Sequence, residues 1–156
     1  MKDAAQALAR IANRGAPFVS RGDGSGTHAK EKSLWQKAGL APGGGWYLPA
    51  GQGMGETLNL AREKRAYTLS DRATFLSQKK PGLDVLVEGD PALLNVYHVI
   101  AVSPGKHPGV RHALAMQLVD YLTSLQAQEL IARFGREEYG QSLFFPDSDE
   151  WREGKR

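Results

Sequence analysis

Pro17-Phe18-Val19-Ser20-Arg21-Gly22-Asp23-Gly24-Ser25-Gly26-Thr27-His28 is the stretch on which the reading of this chain turns. It opens with a short apolar run, and residues 28–38 after it carry a helical pattern. Between them lies a glycine-rich turn holding an arginine and several hydroxyls. The spacing predicts a strand, a turn and a helix start. Glycines let backbone N–H groups approach a ligand, and a helix start presents unpaired donors and a partial positive charge. Arg21 adds a full charge and a planar fork of donors. The turn is read as one that holds an oxyanion, with Arg21, Ser25, Gly26 and Thr27 as donors. Asp23 is expected to orient Arg21 and offset part of its charge. On spacing alone, a tight turn whose hydroxyls merely cap a helix stays open as the alternative.

The same alternation continues outward. Ala5, Leu8, Ile11 and Ala12 predict a helix over residues 3–13, stopped by Gly15 and Pro17. Ser25 or Thr27 caps the helix over 27–38, with Leu34, Trp35 and Ala38 on its buried side. Trp46-Tyr47-Leu48 is a short strand. A second glycine turn, Gly51-Gln52-Gly53-Met54-Gly55, feeds a helix over 55–64. Tyr67-Thr68-Leu69 is a strand, and Ser70 caps a helix that Pro81-Gly82 breaks. Residues 84–88 read as a strand by their β-branched content, and residues 96–102 as the longest strand, buried on both faces. A helical tail follows: Val110, Leu114, Leu118, Tyr121, Leu122 and Leu125 form one stripe, Ser124 caps a helix over 126–134, and an extended end, residues 143–146, precedes a frayed terminus. Strands alternating with helices predict an α/β protein with a mostly parallel sheet. Residues 1–93 are expected to form one lobe, and residues 94–156 a return strand, helices and tail.

Composition narrows the classes. With 156 residues and 41% apolar content the chain can bury a core. Its net charge of +3 is spread along the sequence and predicts no nucleic-acid partner. The absence of cysteine removes disulfides, thiolate metal sites and cysteine nucleophiles. The histidines lack metal-binding spacing, so no metal site is predicted, and His98 reads as a core or edge residue. No apolar run approaches the ~18–20 residues of a membrane span.

The first turn is neither a Walker loop, which needs a lysine after its second glycine, nor a dinucleotide fingerprint, whose third glycine falls elsewhere. Asp23, Ser25 and His28 invite a hydrolase reading, with Ser25 as nucleophile and His28 as base. Yet Asp23 and Thr27 stand where a nucleophile elbow needs glycine. In an open α/β sheet, ligands sit beyond the carboxyl ends of the strands. Three strand ends (20–27, 51–55 and 68–71) are therefore expected to converge, bringing Ser20, Thr68 and Ser70 to the ligand and Gln52 behind it.

One family carries this succession of motifs. Residues 18–28, Trp46-Tyr47, residues 50–55, residues 66–72, Leu86-Val87-Glu88-Gly89-Asp90 and residues 139–146 together resemble the tungstate-binding proteins of ABC transporters, in the type 2 periplasmic-binding-protein superfamily. The Arg-Gly-Asp-Gly-Ser-Gly-Thr run is also similar to the anion turn of the transporters' phosphate-binding proteins. The resemblance implies two α/β lobes, a hinge, a tungstate or molybdate ion between them, no cofactor, no reaction on the ligand, a permease partner and a periplasmic or extracellular location. It places Arg21, Ser25, Gly26 and Thr27 at the ligand on the second lobe. A phosphate-type oxyanion and a cytosolic regulatory module are the alternatives. Family members begin with an export signal and a first-lobe ligand segment, neither of which stands in this sequence. The expectation is thus a second lobe plus the helices that return to the first. The stripe along residues 114–125 would then lack its sheet, which predicts a homodimer, a swapped assembly or poor solubility.

Overall fold

Asp3 starts the fold: its carboxylate accepts from the Gln6 N–H at 2.9 Å and caps α1 (Ala4–Asn13). The structure, a computed structural model, describes residues 3–78 and 82–154, so Pro81, the expected helix breaker, lies outside the described residues. Two compact units divide the chain, Met1–Asn95 and Val96–Arg156.

In the first unit, α1 is followed by β1 (Phe18–Ser20), α2 (Gly26–Lys37), β2 (Tyr47–Pro49), α3 (Met54–Lys64), β3 (Tyr67–Thr68), α4 (Arg72–Ser77) and a 3-10 turn at Pro91–Leu93. The three strands form a parallel sheet in the order β2-β1-β3, with Phe18 opposite Tyr47 and Tyr67. Side chains alternate along a strand. Phe18 accordingly packs with Ala4, Leu8, Leu34 and Trp35 of α1 and α2, while Val19 packs with Ala61 of α3 and Ala66. Helices thus cover both faces of β1. Ring contacts finish the first face: Phe18 meets Trp35 edge-on at 5.3 Å and stacks with Tyr47 at 6.0 Å. Because every strand is parallel, all three carboxyl ends lie along one edge. There the chain leaves β1 for the α2 face and β2 for the α3 face, the divergence at which such sheets open a crevice.

Two expected strands are absent among the described residues. Residues 84–88 and 96–102 make no ladder, and Leu86, Tyr97 and Ile100 are 61%, 74% and 83% exposed. β-branched content favours a pleated, half-buried surface, and it is realised only beside a strand that supplies the hydrogen bonds. His98, read as a core or edge residue, is exposed. The cap of α4 is Asp71 rather than Ser70, with Asp71 Oδ1 accepting from the Thr74 N–H at 2.8 Å.

The second unit holds α5 (His112–Thr123), α6 (Leu125–Arg133), α7 (Arg136–Tyr139) and α8 (Asp149–Glu153). Ser124 caps α6, accepting from the Ala127 N–H at 3.3 Å. Gln128 is buried and fastens the tail. Its Nε2 donates to the Leu122 carbonyl at 2.8 Å, and its Oε1 accepts from Asp147 and Ser148. α8 reaches into the expected frayed terminus as far as Glu153 and is capped by Ser148. No residue of α5 is buried, and Leu114 and Leu118 are half exposed. No described helix is long and apolar enough to cross a membrane.

Candidate functional site

Beyond β1 the backbone folds into a closed set of local bonds. Asp23 Oδ1 accepts from the Ser25 N–H at 3.0 Å. Ser25 Oγ caps α2 by accepting from the His28 N–H at 3.4 Å. The Gly24 N–H donates back to His28 Nδ1 at 3.0 Å. Gly22 and Gly24, at φ +65° and +77°, supply the left-handed positions this path requires. The second glycine turn is tied alongside: the Ala50 and Gly51 N–H groups donate to the Ser20 and Arg21 carbonyls at 2.8 and 3.0 Å.

Arg21 Nε lies 2.8 Å from Asp23 Oδ2. The contact is ionic rather than an aligned hydrogen bond, since Nε is enclosed and without a hydrogen-bond partner. Hydrogen bonding from Ser25, first through its hydroxyl and then its N–H, together with the charge of Arg21, holds the Asp23 carboxyl below its ordinary value of 3.8 against an opposing desolvation effect. The guanidinium Nη groups, the Gly26 and Thr27 N–H groups and the Thr27 hydroxyl have no hydrogen-bond acceptor among the described residues. No acidic residue stands in the first turn of α2, and the Asp23 carboxylate just before it accepts from the N–H of the capping Ser25. The first turn of α3 carries Glu56, whose carboxylate crowds Gly53 at that helix's start.

The other expected site residues fall differently. Ser20 is fully buried, and its hydroxyl donates to Glu31 Oε2 at 2.7 Å, inside the fold. Thr68 donates its hydroxyl proton to the Val19 carbonyl, and Ser70 donates to the Asp71 carbonyl. Gln52 is exposed, in a shallow groove with Glu56, Asn59 and Glu63, and no described hydrogen bond joins it to Asp23. The hydrolase geometry does not form. Ser25 meets the backbone of His28, the imidazole accepts from Gly24, and Asp23 engages Ser25 and Arg21 rather than the ring. Among the described residues no acidic and histidine cluster could hold a metal.

Glu31 went unnoticed in the sequence. It is 1% exposed and accepts from Ser20 Oγ, from Trp35 Nε1 at 3.0 Å and from the Tyr47 hydroxyl at 2.8 Å. Burial, with Glu31 reinforcing it, pushes the Tyr47 hydroxyl up to about 12. The signal was periodic: Glu31 precedes Leu34 by three residues and Trp35 by four, which puts it on the buried face of α2.

Residues 1–126 match the PBP superfamily domain. The chain is 44% identical over 147 residues to the tungstate-binding protein TupA of Peptoclostridium acidaminophilum, covering 94% of this chain and 51% of that protein. It is 38% identical over 139 residues to the protein of the same name from Campylobacter jejuni, covering 85% and 52%. Among solved structures, the tungstate-binding protein TupA from Desulfovibrio alaskensis G20 superposes with a TM-score of 0.79 at 40% identity, covering 96% of this chain and 61% of that one. The chain spans about half the length of the curated relatives it matches.

Proposed function

The chain belongs to the PBP superfamily, and from that premise we propose that its first unit is an oxyanion-holding wall of an ABC importer's solute-binding component, with tungstate, or secondarily molybdate, as the ligand. The observation that carries the proposal is the α2 start. Unpartnered Gly26 and Thr27 N–H groups, the Thr27 hydroxyl and the Nη groups of Arg21 lie within residues 21–27, and the one acid among them, Asp23, is engaged by Arg21 and Ser25. Arg21 offsets charge, the N–H groups donate along the helix axis, and Ser25 and Thr27 add hydroxyl donors. Ser25 accepts its cap bond with a lone pair, and its single proton, which bonds Asp23, turns to the ligand when one binds. Every group offered is a donor, which suits an anion carrying no proton.

Asp23 separates this from a phosphate reading. Hydrogen phosphate at neutral pH needs an acceptor for its proton. The carboxylate oxygens of Asp23 are turned to Ser25 and Arg21, which supports a fully deprotonated oxyanion. The names of the relatives favour tungstate. No reaction on the ligand is part of this reading, a permease is its partner, and the compartment is periplasmic or extracellular. The exposed stripe at Leu114, Leu118 and Tyr121 extends it to self-association, as a homodimer or swapped assembly. A monodisperse monomer in sedimentation at high concentration contradicts that extension.

A thermal-shift series with tungstate, molybdate, sulfate and phosphate tests the ligand. Stabilisation by tungstate of about 2.7 kcal/mol at a hundredfold excess over Kd is expected, with phosphate weakest. No shift with any of the four ions overturns the proposal.

A further inference from the structure

We propose that Glu31 is the positioning residue of the oxyanion turn, a buried carboxylate that holds the donor end of α2 in register with the end of β1. This rests on the oxyanion reading above. A carboxylate at 1% exposure persists only when donors surround it. Here the donors come from different elements: Ser20 ends β1, Tyr47 begins β2, and Trp35 lies one turn further along α2. The bond from Ser20 joins the two walls of the turn. Ser20 is bonded directly to Arg21, and Glu31 sits five residues beyond Gly26 on the same rigid helix.

Nothing else in that part of α2 can do this. Its buried residues are Glu31, Leu34 and Trp35, so residues 26–30 place no buried side chain against the sheet. An apolar residue at 31 would fill the space, but contact between apolar groups is non-directional and would not set the angle of the helix axis. Hydrogen bonds to a carboxylate are directional and charge-assisted, and so fix it. The donors that face an anion must be placed to within about half an ångström to act together, and Glu31 supplies that constraint from behind the site without touching the ligand.

Glu31→Gln and Glu31→Leu separate placement from charge and from bulk stability. Glutamine can still accept from Trp35 and Tyr47 and can donate to Ser20 Oγ; leucine can do none of these. With tungstate as the probe, measured calorimetrically at a temperature where each variant is folded, Glu31→Gln should bind within about threefold of the unaltered protein. Glu31→Leu should bind at least about tenfold more weakly, a loss of about 1.4 kcal/mol. Trp35→Phe, which removes a donor but leaves the Ser20 bond, should lower the melting temperature while leaving affinity nearly unchanged. Should Glu31→Leu fail to fold, Ser20→Ala, which cuts the same link from the other side, should weaken tungstate binding although the Ser20 hydroxyl donates to Glu31, inside the fold. Equal affinity of the unaltered protein and Glu31→Leu, or of the unaltered protein and Ser20→Ala where the leucine variant does not fold, overturns the proposal. So does equal weakness of Glu31→Gln and Glu31→Leu. If the unaltered protein does not bind tungstate at all, the oxyanion reading fails first. Amide exchange at residues 24–28 then decides the placement, with faster exchange in Glu31→Leu expected and unchanged exchange overturning it.

Discussion

Replacing Gly22 and Gly24 by alanine, one at a time, isolates how closely the two glycine turns are packed. Both residues are left-handed, at φ +65° and +77°, and an L-residue there costs roughly 1–2 kcal/mol. Gly24 has nothing within 4 Å of where a Cβ would stand, so Gly24→Ala carries that conformational cost alone. A Cβ on Gly22 would lie 3.1 Å from Pro49 Cβ and 3.4 Å from the Gly51 nitrogen. A proline ring and backbone cannot swing aside as a flexible side chain can. Segment 49–51 must therefore move, stretching the Ala50-to-Ser20 and Gly51-to-Arg21 bonds of 2.8 and 3.0 Å. Loss of one such bond amounts to about 1 kcal/mol. Gly22→Ala should thus be less stable than Gly24→Ala by about 1 kcal/mol, or roughly 4–8 °C in melting temperature for a unit of this size. Thermal unfolding followed by tryptophan fluorescence measures it, since Trp35 is 1% exposed and reports the first unit. Coincident melting of the two variants, or a less stable Gly24→Ala, refutes the reasoning.

Tyr47→Phe removes one donor to Glu31 and should destabilise by about 1.5 kcal/mol, the low end for a bond to a charged acceptor because Tyr47 is only partly buried; equal chemical-denaturation midpoints would contradict it. The same tyrosine titrates at about 12 in the folded state against an ordinary 10.0. Its contribution is complete below pH 10 and lost as the pH rises toward 12, so the alkaline limb of a stability profile should be steeper in the unaltered protein than in Tyr47→Phe. Asp90 is held low first by the Ala4 N–H, then by Ala92 and the charge of Lys37. Its stabilisation is present above the ordinary carboxylate range and lost as the pH falls through the depressed value, so Asp90→Asn should flatten the acid limb measured by circular dichroism. Gln128→Leu strands the Leu122 carbonyl and the Asp147 and Ser148 N–H groups, and limited proteolysis should then cut near residues 146–148 faster than in the unaltered chain.

The strand–turn–helix around residue 20 was legible because its signals are local. An apolar run, glycines at left-handed positions and a capping serine each act within a few residues. The parallel sheet followed from alternation alone. Residues 84–88 and 96–102 misled because β-branched content states a preference that only a neighbouring strand can satisfy. A place at a strand end puts Ser20, Thr68 and Ser70 along the ligand edge, but where a hydroxyl donates depends on acceptors distant in sequence: Glu31 for Ser20 and the Val19 carbonyl for Thr68. Glu31 hid because a charged residue within a polar helix start reads as solvated. Its three donors lie 11 residues before it, four after it and 16 after it.

The central claim is that the turn at residues 21–27 holds an oxyanion through Arg21 and the start of α2. Isothermal titration of the protein with tungstate, beside Arg21→Ala, tests it most directly. One tungstate per chain is predicted for the unaltered protein, with binding lost in Arg21→Ala while the melting temperature without ligand changes little. Tungstate binding that survives Arg21→Ala at full strength, or no binding by the unaltered protein, would contradict the account.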